Sequence, residues 1–437
     1  MVAGLTDDSL AEKLLDLALK SGAEAAEVLQ SRSESRPVFF EANRLKQLES
    51  SAALGTALRL WVNGRPGLAV AYGPVDPQPI VDKAMAISAL NDPEPLNLTT
   101  GTRQRYPDLG QTVPVEQLVD WGQAVIDQVR AAYPEVICGV EMECDIETTR
   151  ILNSQGLDSV YSDTTLSGYA SAEWVRGDDF LSVSDGQTRR DSLDVGNLAE
   201  QILQRLAWAE SNAAVASGRL PVIFTAKAAD MLWGTLQAAL SGKRVIERSS
   251  PWSDGLGQSM ISAAITLYQD PEAGPFSCPF DDEGTPTQRL VFIDKGVLAL
   301  FYCDRKVGQQ LGGQSTGNGF RPGLGSYPTP SLYNTLITPG SRSLSELVAS
   351  LNHGILVDQI LGGGAGISGD FSVNIDLGYH IHQGEIVGRV KDTMVAGNVY
   401  AALKDNLELG NDADWNGACY TPSVLVDGLS VTSPEQT

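Results

Sequence analysis

Three histidines, His353, His380 and His382, are the only imidazoles in the chain, and they bound the chemistry open to it. His380 and His382 alternate in "DLGYHIHQGEIVGRV". On a strand they share a face and could chelate a metal, or stand simply as exposed strand side chains. His353 closes "SLSELVASLNHG", where an imidazolium at a helix C-terminus suits the dipole. A zinc peptidase needs about three His, Asp, Glu or Cys ligands, an open coordination position and usually a Glu base. No HExxH occurs. A GxSxG nucleophile elbow is also absent, and so few histidines leave little material for a Ser-His-Asp triad.

Carboxylates form a second candidate. "CPFDDEGTPTQR" places Asp281, Asp282 and Glu283 in a turn before a strand. Clustered acids raise one another's pKa and could make a base or a metal site; a solvated turn is the plainer reading. The glycine-rich loops "GGQSTGNGFRPGLG" (312–325) and "LGGGAGISGD" (361–370) are neither a P-loop nor a dinucleotide fingerprint. They fit close backbone approach, either along a peptide groove or in tight β-turns. Asn318, Arg321 and Asp370 are the polar positions offered to such a groove. The five cysteines, Cys138, Cys144, Cys278, Cys303 and Cys419, are scattered without a CxxC and read as small core residues.

The elements that must position these residues are those of an α+β protein. In the N-terminal segment Leu10, Leu14, Leu15 and Ala18 recur at helical spacing, with Thr6 or Asp7 as cap and Gly22 as stop; this helix is expected to pack on a sheet. "NGRPG" between two β-rich runs marks a hairpin, and "NSQG" a turn between later strands. The order helix, strands, helix recurs in residues 1–110 and 111–215, expected to complete one α+β region. The small, polar "AESNAAVASGRL" (209–220) is read as the boundary. Residues 216–437 are read as a β-rich, largely antiparallel domain carrying a helix at "MLWGTLQAALSGKRVIERSS". A net charge of −23 with no basic block argues against nucleic acid. No apolar run is long enough for a membrane span, and the N-terminus lacks the features of a signal peptide, so a cytoplasmic protein is expected.

An ordered series of segments adds a resemblance. "RLPVIFTAKAADMLWGTLQAALSGKRVIERSS", "CPFDDEGTPTQRLVFIDKGVLALFYCDRKVGQQLGGQSTGNGFR", "YNTLITPG", "ILGGGAGISGDFS", "GEIVGRVKDTMVAGN" and "ELGNDADWNGACYTPSVLVDGLSV" resemble the TldD/PmbA family, whose members are often labelled modulators of DNA gyrase. The likeness is specific from Leu220 to Val431 and looser before residue 215. It implies an α+β N-terminal region and a β-rich C-terminal domain. The TldD branch of the family implies a zinc metallopeptidase with an HExxxH helix and a later Cys. Counted without gaps from Pro221, the first His position holds Gly234, the Glu position Thr235 and the second His position Ala239. The later Cys position holds Cys419. Gly234, a poor helix residue, is read as serving close packing.

The departure places the chain with the PmbA/TldE branch, implying a non-catalytic subunit. No cofactor of its own is expected, and zinc belongs to a TldD-type partner with which it acts on unfolded polypeptides or peptides. A homodimer in the partner's absence is compatible with the resemblance. Two alternatives stand: an independent metallopeptidase with a cryptic site built from Cys419 with His380 or His382, and a non-enzymatic regulator that binds gyrase or another protein.

Overall fold

The computed structural model describes residues 8–276 and 278–434. Its first sheet has nine strands and is organised around Ile137–Asn153. The first half of that strand alternates, burying Cys138, Val140, Met142 and Cys144, as a strand with one face on a core must. It pairs with Val38–Glu41 at one end, with Ala25–Ser35 at the other, and with Asp158–Arg176 along its length. Ser51–Val62 and Arg65–Tyr72 extend the sheet on one side; Asp179–Arg189 is its outer strand on the other. One sheet therefore takes strands from both 1–110 and 111–215.

Local chemistry explains the connections. Asn63 and Gly64, with φ of 50° and 70°, make the tight turn between Ser51–Val62 and Arg65–Tyr72. At "NSQG", the Asn153 carboxamide accepts the N–H of Gln155, and Gly156 takes φ of 87°. The helix Asp8–Lys20 buries Leu10, Leu14 and Ala18 against Val28, Leu58 and Leu60; the expected caps Thr6 and Asp7 lie outside the described residues. A second helix, Pro77–Ser88, lies so close on Gly67 that a Cβ there would fall 2.0 Å from the Ala84 carbonyl oxygen.

The C-terminal region holds a closed ring of five strands. Gly218–Phe224 pairs in parallel with His353–Leu361, which continues antiparallel to Asp370–His382, Met394–Asn398 and Val424–Thr432; the last returns to Gly218–Phe224. A six-stranded sheet beside it contains Thr335–Ile337 and Cys419–Thr421, paired in parallel. The pattern is largely antiparallel and the fold α+β, as expected. The segment 209–220 is not a free tether: Ala213 donates to the Arg389 carbonyl, bridging it to the ring.

Alternation along the ring strands serves two cores. Val222, Phe224, Ile355 and Val357 pack with Trp233, Leu236 and Phe292. Ile223, Leu356, Tyr379 and Ile381 point the other way, onto Val125, Val129, Leu198, Ile202 and Leu206. Those five belong to the helices Val115–Ala132 and Val195–Trp208, which also cover Cys138, Met142 and Leu166 of the first sheet. The helix pair is thus sandwiched between the two sheets. Within the sandwich Arg205 Nε donates to Asp358 at 2.8 Å, both nearly water-free, and Asp185 stands 3.6 Å from the same guanidinium.

Removing one partner of such a pair strands a charge in a dry interior. Asp358→Ala is expected to destabilise the chain by about 3–5 kcal/mol, read as a shift in the urea unfolding midpoint. A change below ~1 kcal/mol would show that the pair does not join the two sheets.

Candidate functional site

The segment from Met231 forms a short helix, Asp230–Ala239, followed by a single helical stretch at Gly242–Ile246. Met231, Leu232, Trp233 and Leu236 anchor it in the core. The Trp233 indole N–H donates to the Thr421 hydroxyl, tying the helix to the strand that carries Cys419. The face bearing the zinc-motif positions is chemically empty. Thr235 is buried, and its hydroxyl donates to the Ala365 carbonyl at 3.3 Å, under the loop 361–370. Ala239 is buried and offers no donor atom.

Gly234 is exposed, and a Cβ built on it meets no atom within 4 Å. Close packing does not explain this glycine: the expectation is corrected, because the space over it is open. Cys419 is 4 % exposed. Burial, reinforced by the Asp230 carboxylate, pushes its thiol well above the usual range, so the thiolate that binds metal is disfavoured. One protonated thiol, a committed hydroxyl and two positions without ligand atoms do not fit a catalytic zinc.

The acidic turn is not a solvated loop. Asp281 is fully buried and accepts the N–H groups of Glu283, Thr285 and Gly319. Asp282 accepts the N–H of Arg321 at 2.7 Å, and Glu283 that of Arg305 at 2.8 Å. The bonds from Gly319 and Arg321 tie the turn to the loop 312–325, and the bond from Arg305 ties it to the helix Arg305–Gln310. Burial raises the pKa of all three acids, with Glu283 brought up to about 7.

Two of the groove positions are corrected by the same network. Asn318 is fully buried, its amide donating to Gln269 and to the Ser331 carbonyl while its oxygen accepts from Thr316. Arg321 has a side chain only 1 % exposed, paired with Glu27 at 3.1 Å, and Glu27 also pairs with Arg59 at 3.0 Å. Neither can line an open groove, since every polar atom that would meet a peptide faces protein instead. Asp370 is exposed and accepts from Asn398 at 2.9 Å; these bonds do not join it to the buried network of Asn318 and Arg321.

A cleft of 1090 Å³ lies between the outer strand Asp179–Arg189, the helix Val195–Trp208 and the C-terminal region. Tyr169, Trp208 and Trp415 offer it aromatic surface; Asp185, Arg205 and Lys227 line it with charge. Lys227 donates to the Ser184 carbonyl at 2.6 Å, and burial lowers its pKa. None of these residues belongs to a catalytic or metal-binding motif in the sequence. They come from segments up to nearly two hundred and fifty residues apart, so local spacing carries no sign of them.

The three histidines do converge. His353 does not end a helix: the helix Leu344–Ala349 stops earlier, and His353 opens the strand His353–Leu361. It lies directly across from His382. His353 Nδ1 and His380 Nε2 are 3.1 Å apart, and one ligand atom from each of the three rings lies within 4.8 Å of the others. Cys419 is not in this group. Burial, then the neighbouring imidazoles, lowers the pKa of His380.

Comparison with known proteins fits this geometry. Residues 217–433 match the model of the PmbA/TldA metallopeptidase C-terminal domain, and residues 26–88 that of the PmbA/TldA metallopeptidase domain 1. The chain belongs to the PmbA/TldD family. An uncharacterised protein of Methanocaldococcus jannaschii is 26% identical over 95% of this chain and 98% of its own. The metalloprotease PmbA of Escherichia coli O157:H7 is 24% identical over 95% of this chain and 94% of its own. The crystal structure of TldE from Thermococcus kodakarensis superposes with a TM-score of 0.89 at 25% identity, over 97% of this chain and all of that one. Among the described residues, no helix of this family member is long and apolar enough to cross a membrane.

Two outcomes follow from the geometry. Gly234→Ala is expected to be tolerated and to stabilise by up to about 1 kcal/mol, because Ala suits a helix better and meets no neighbour; a fall in melting temperature would contradict the open space. Glu283 titrates at about 7 in the fold against an ordinary 4.5. The folded state therefore holds the extra proton between those values, and stability falls as pH rises through them. Glu283→Gln keeps an acceptor for the Arg305 N–H and cannot ionise. Going from pH 5 to pH 8, the variant is expected to gain roughly 1–3 kcal/mol over wild type; parallel pH profiles would refute this.

Proposed function

We propose that the chain is a non-catalytic, PmbA/TldE-type subunit of a heteromeric TldD-type zinc metallopeptidase that acts on unfolded polypeptides or peptides in the cytoplasm. The observation that carries this reading is the set Gly234, Thr235 and Ala239 on an intact, well-anchored helix. The scaffold of a zinc helix is kept while both helix ligands and the base are missing, Cys419 alone remaining at a ligand position. In this reading the zinc resides in the partner, and this chain contributes surface. The cleft beside Asp179–Arg189 is the place for an extended substrate. A peptide there would lie near the outer edge of a strand, with Tyr169, Trp208 and Trp415 to receive side chains. In the partner's absence a homodimer would satisfy the same surfaces.

The test is co-expression with a TldD-type subunit, followed by purification of any complex and assay on a denatured protein. Peptidase activity is expected only when both chains are present, and chelation is expected to abolish it. Full activity of the partner alone, unchanged by adding this chain, would overturn the proposal.

A further inference from the structure

We infer that His353, His380 and His382 form a binding site for a late first-row divalent transition metal ion, zinc foremost, separate from the family's zinc-motif positions. The inference does not rest on the proposed subunit role. It starts from the ladder that holds the three side chains. His353 and His382 are cross-strand partners, and His380 pairs with Ile355. Cross-strand partners point to the same face, and so do residues two apart on one strand. All three imidazoles therefore stand on one face of a two-stranded segment. The turn beyond them is fixed: Gln383 and Gly384 have φ of 51° and 80°, and Glu385 pairs back onto His382.

The face also has a polarity. Ile355, opposite His380, belongs to the buried core that also holds Trp233, Leu236 and Phe292. The histidines follow that apolar row outward. His353 and His380 are half-buried and His382 exposed, so the cluster has a rigid inner side and an open outer side. An ion could enter without unfolding anything.

The spacing suits a metal. Zinc–nitrogen bonds of about 2.0–2.1 Å in a tetrahedron put ligand nitrogens roughly 3.4 Å apart. The His353 and His380 nitrogens are already 3.1 Å apart, and ring rotation on a fixed backbone brings in the third from within 4.8 Å. Three neutral nitrogen donors select zinc, copper or nickel over magnesium and calcium, which require oxygen. Three protein ligands leave a fourth position for water. Among the described residues no other three His, Cys, Asp or Glu side chains converge in this way, and these are all the histidines of the chain.

The experiment is zinc titration by calorimetry of the full chain, prepared without a histidine tag and stripped with EDTA. One zinc per chain with a micromolar or tighter Kd is expected, with magnesium giving no heat. His353→Ala, His380→Ala and His382→Ala should each weaken zinc by about tenfold or more, since even the supporting partners of metal ligands cost 10–100-fold when lost. His382 is exposed, so its replacement tests the site without risk to the core. Cys419→Ala should bind as wild type. The site is overturned if zinc gives no saturable binding, if binding survives the His382 and His380 substitutions unchanged, or if it is lost with Cys419→Ala.

Discussion

A helix pair held between two sheets is the constraint on which the rest of the molecule depends. Val115–Ala132 and Val195–Trp208 have apolar residues on enough of their surface to meet the first sheet on one side and Tyr379 and Ile381 on the other. The Arg205–Asp358 pair sits inside that contact. A polar pair in a dry layer adds little net stability, but it penalises any arrangement that separates its members. The lining of the cleft is built on the same layer: Arg205 and Trp208 come from the helix and Lys227 from the segment after the ring's first strand.

Much of the architecture was legible because its signals are local. The hairpin at Asn63–Gly64, the turn at Asn153–Gly156 and the helix carrying Leu10, Leu14 and Ala18 each depend on residues within a few positions of one another. All five cysteines are free and buried, as small core residues. That positions 234, 235 and 239 carry no imidazole or carboxylate was legible as well, since it is a matter of residue identity. The role of Gly234 was not, because whether a glycine fills a tight contact or faces open space depends on neighbours that spacing does not reveal.

The long-range features were the ones misread. Asn318 and Arg321, polar and in a glycine-rich loop, looked like groove residues. Their partners Gln269, Glu27 and the 281–283 turn lie up to nearly three hundred residues away, and they draw both side chains inside. His353 looked like a helix terminus because the apolar spacing before it runs on. Ser343 and Glu346 form a capping box that starts a short helix, which ends at Ala349. That early stop lets His353 join a strand and reach His380 and His382.

The closure of the five-stranded ring bears on how the chain is made. Its first strand, Gly218–Phe224, finds one neighbour in His353–Leu361 and the other in Val424–Thr432. Neither exists when residue 224 leaves the ribosome. Loop-closure entropy opposes contacts at such separation: the first partner of Val222, Ile223 and Phe224 lies more than a hundred residues further on, and the second, which closes the ring, lies about two hundred residues on. In the finished fold Ile223 packs with Leu198, Ile202 and Leu206 of the preceding helix, so the residues that cover this side of the ring stand in the chain before the first strand of the ring itself.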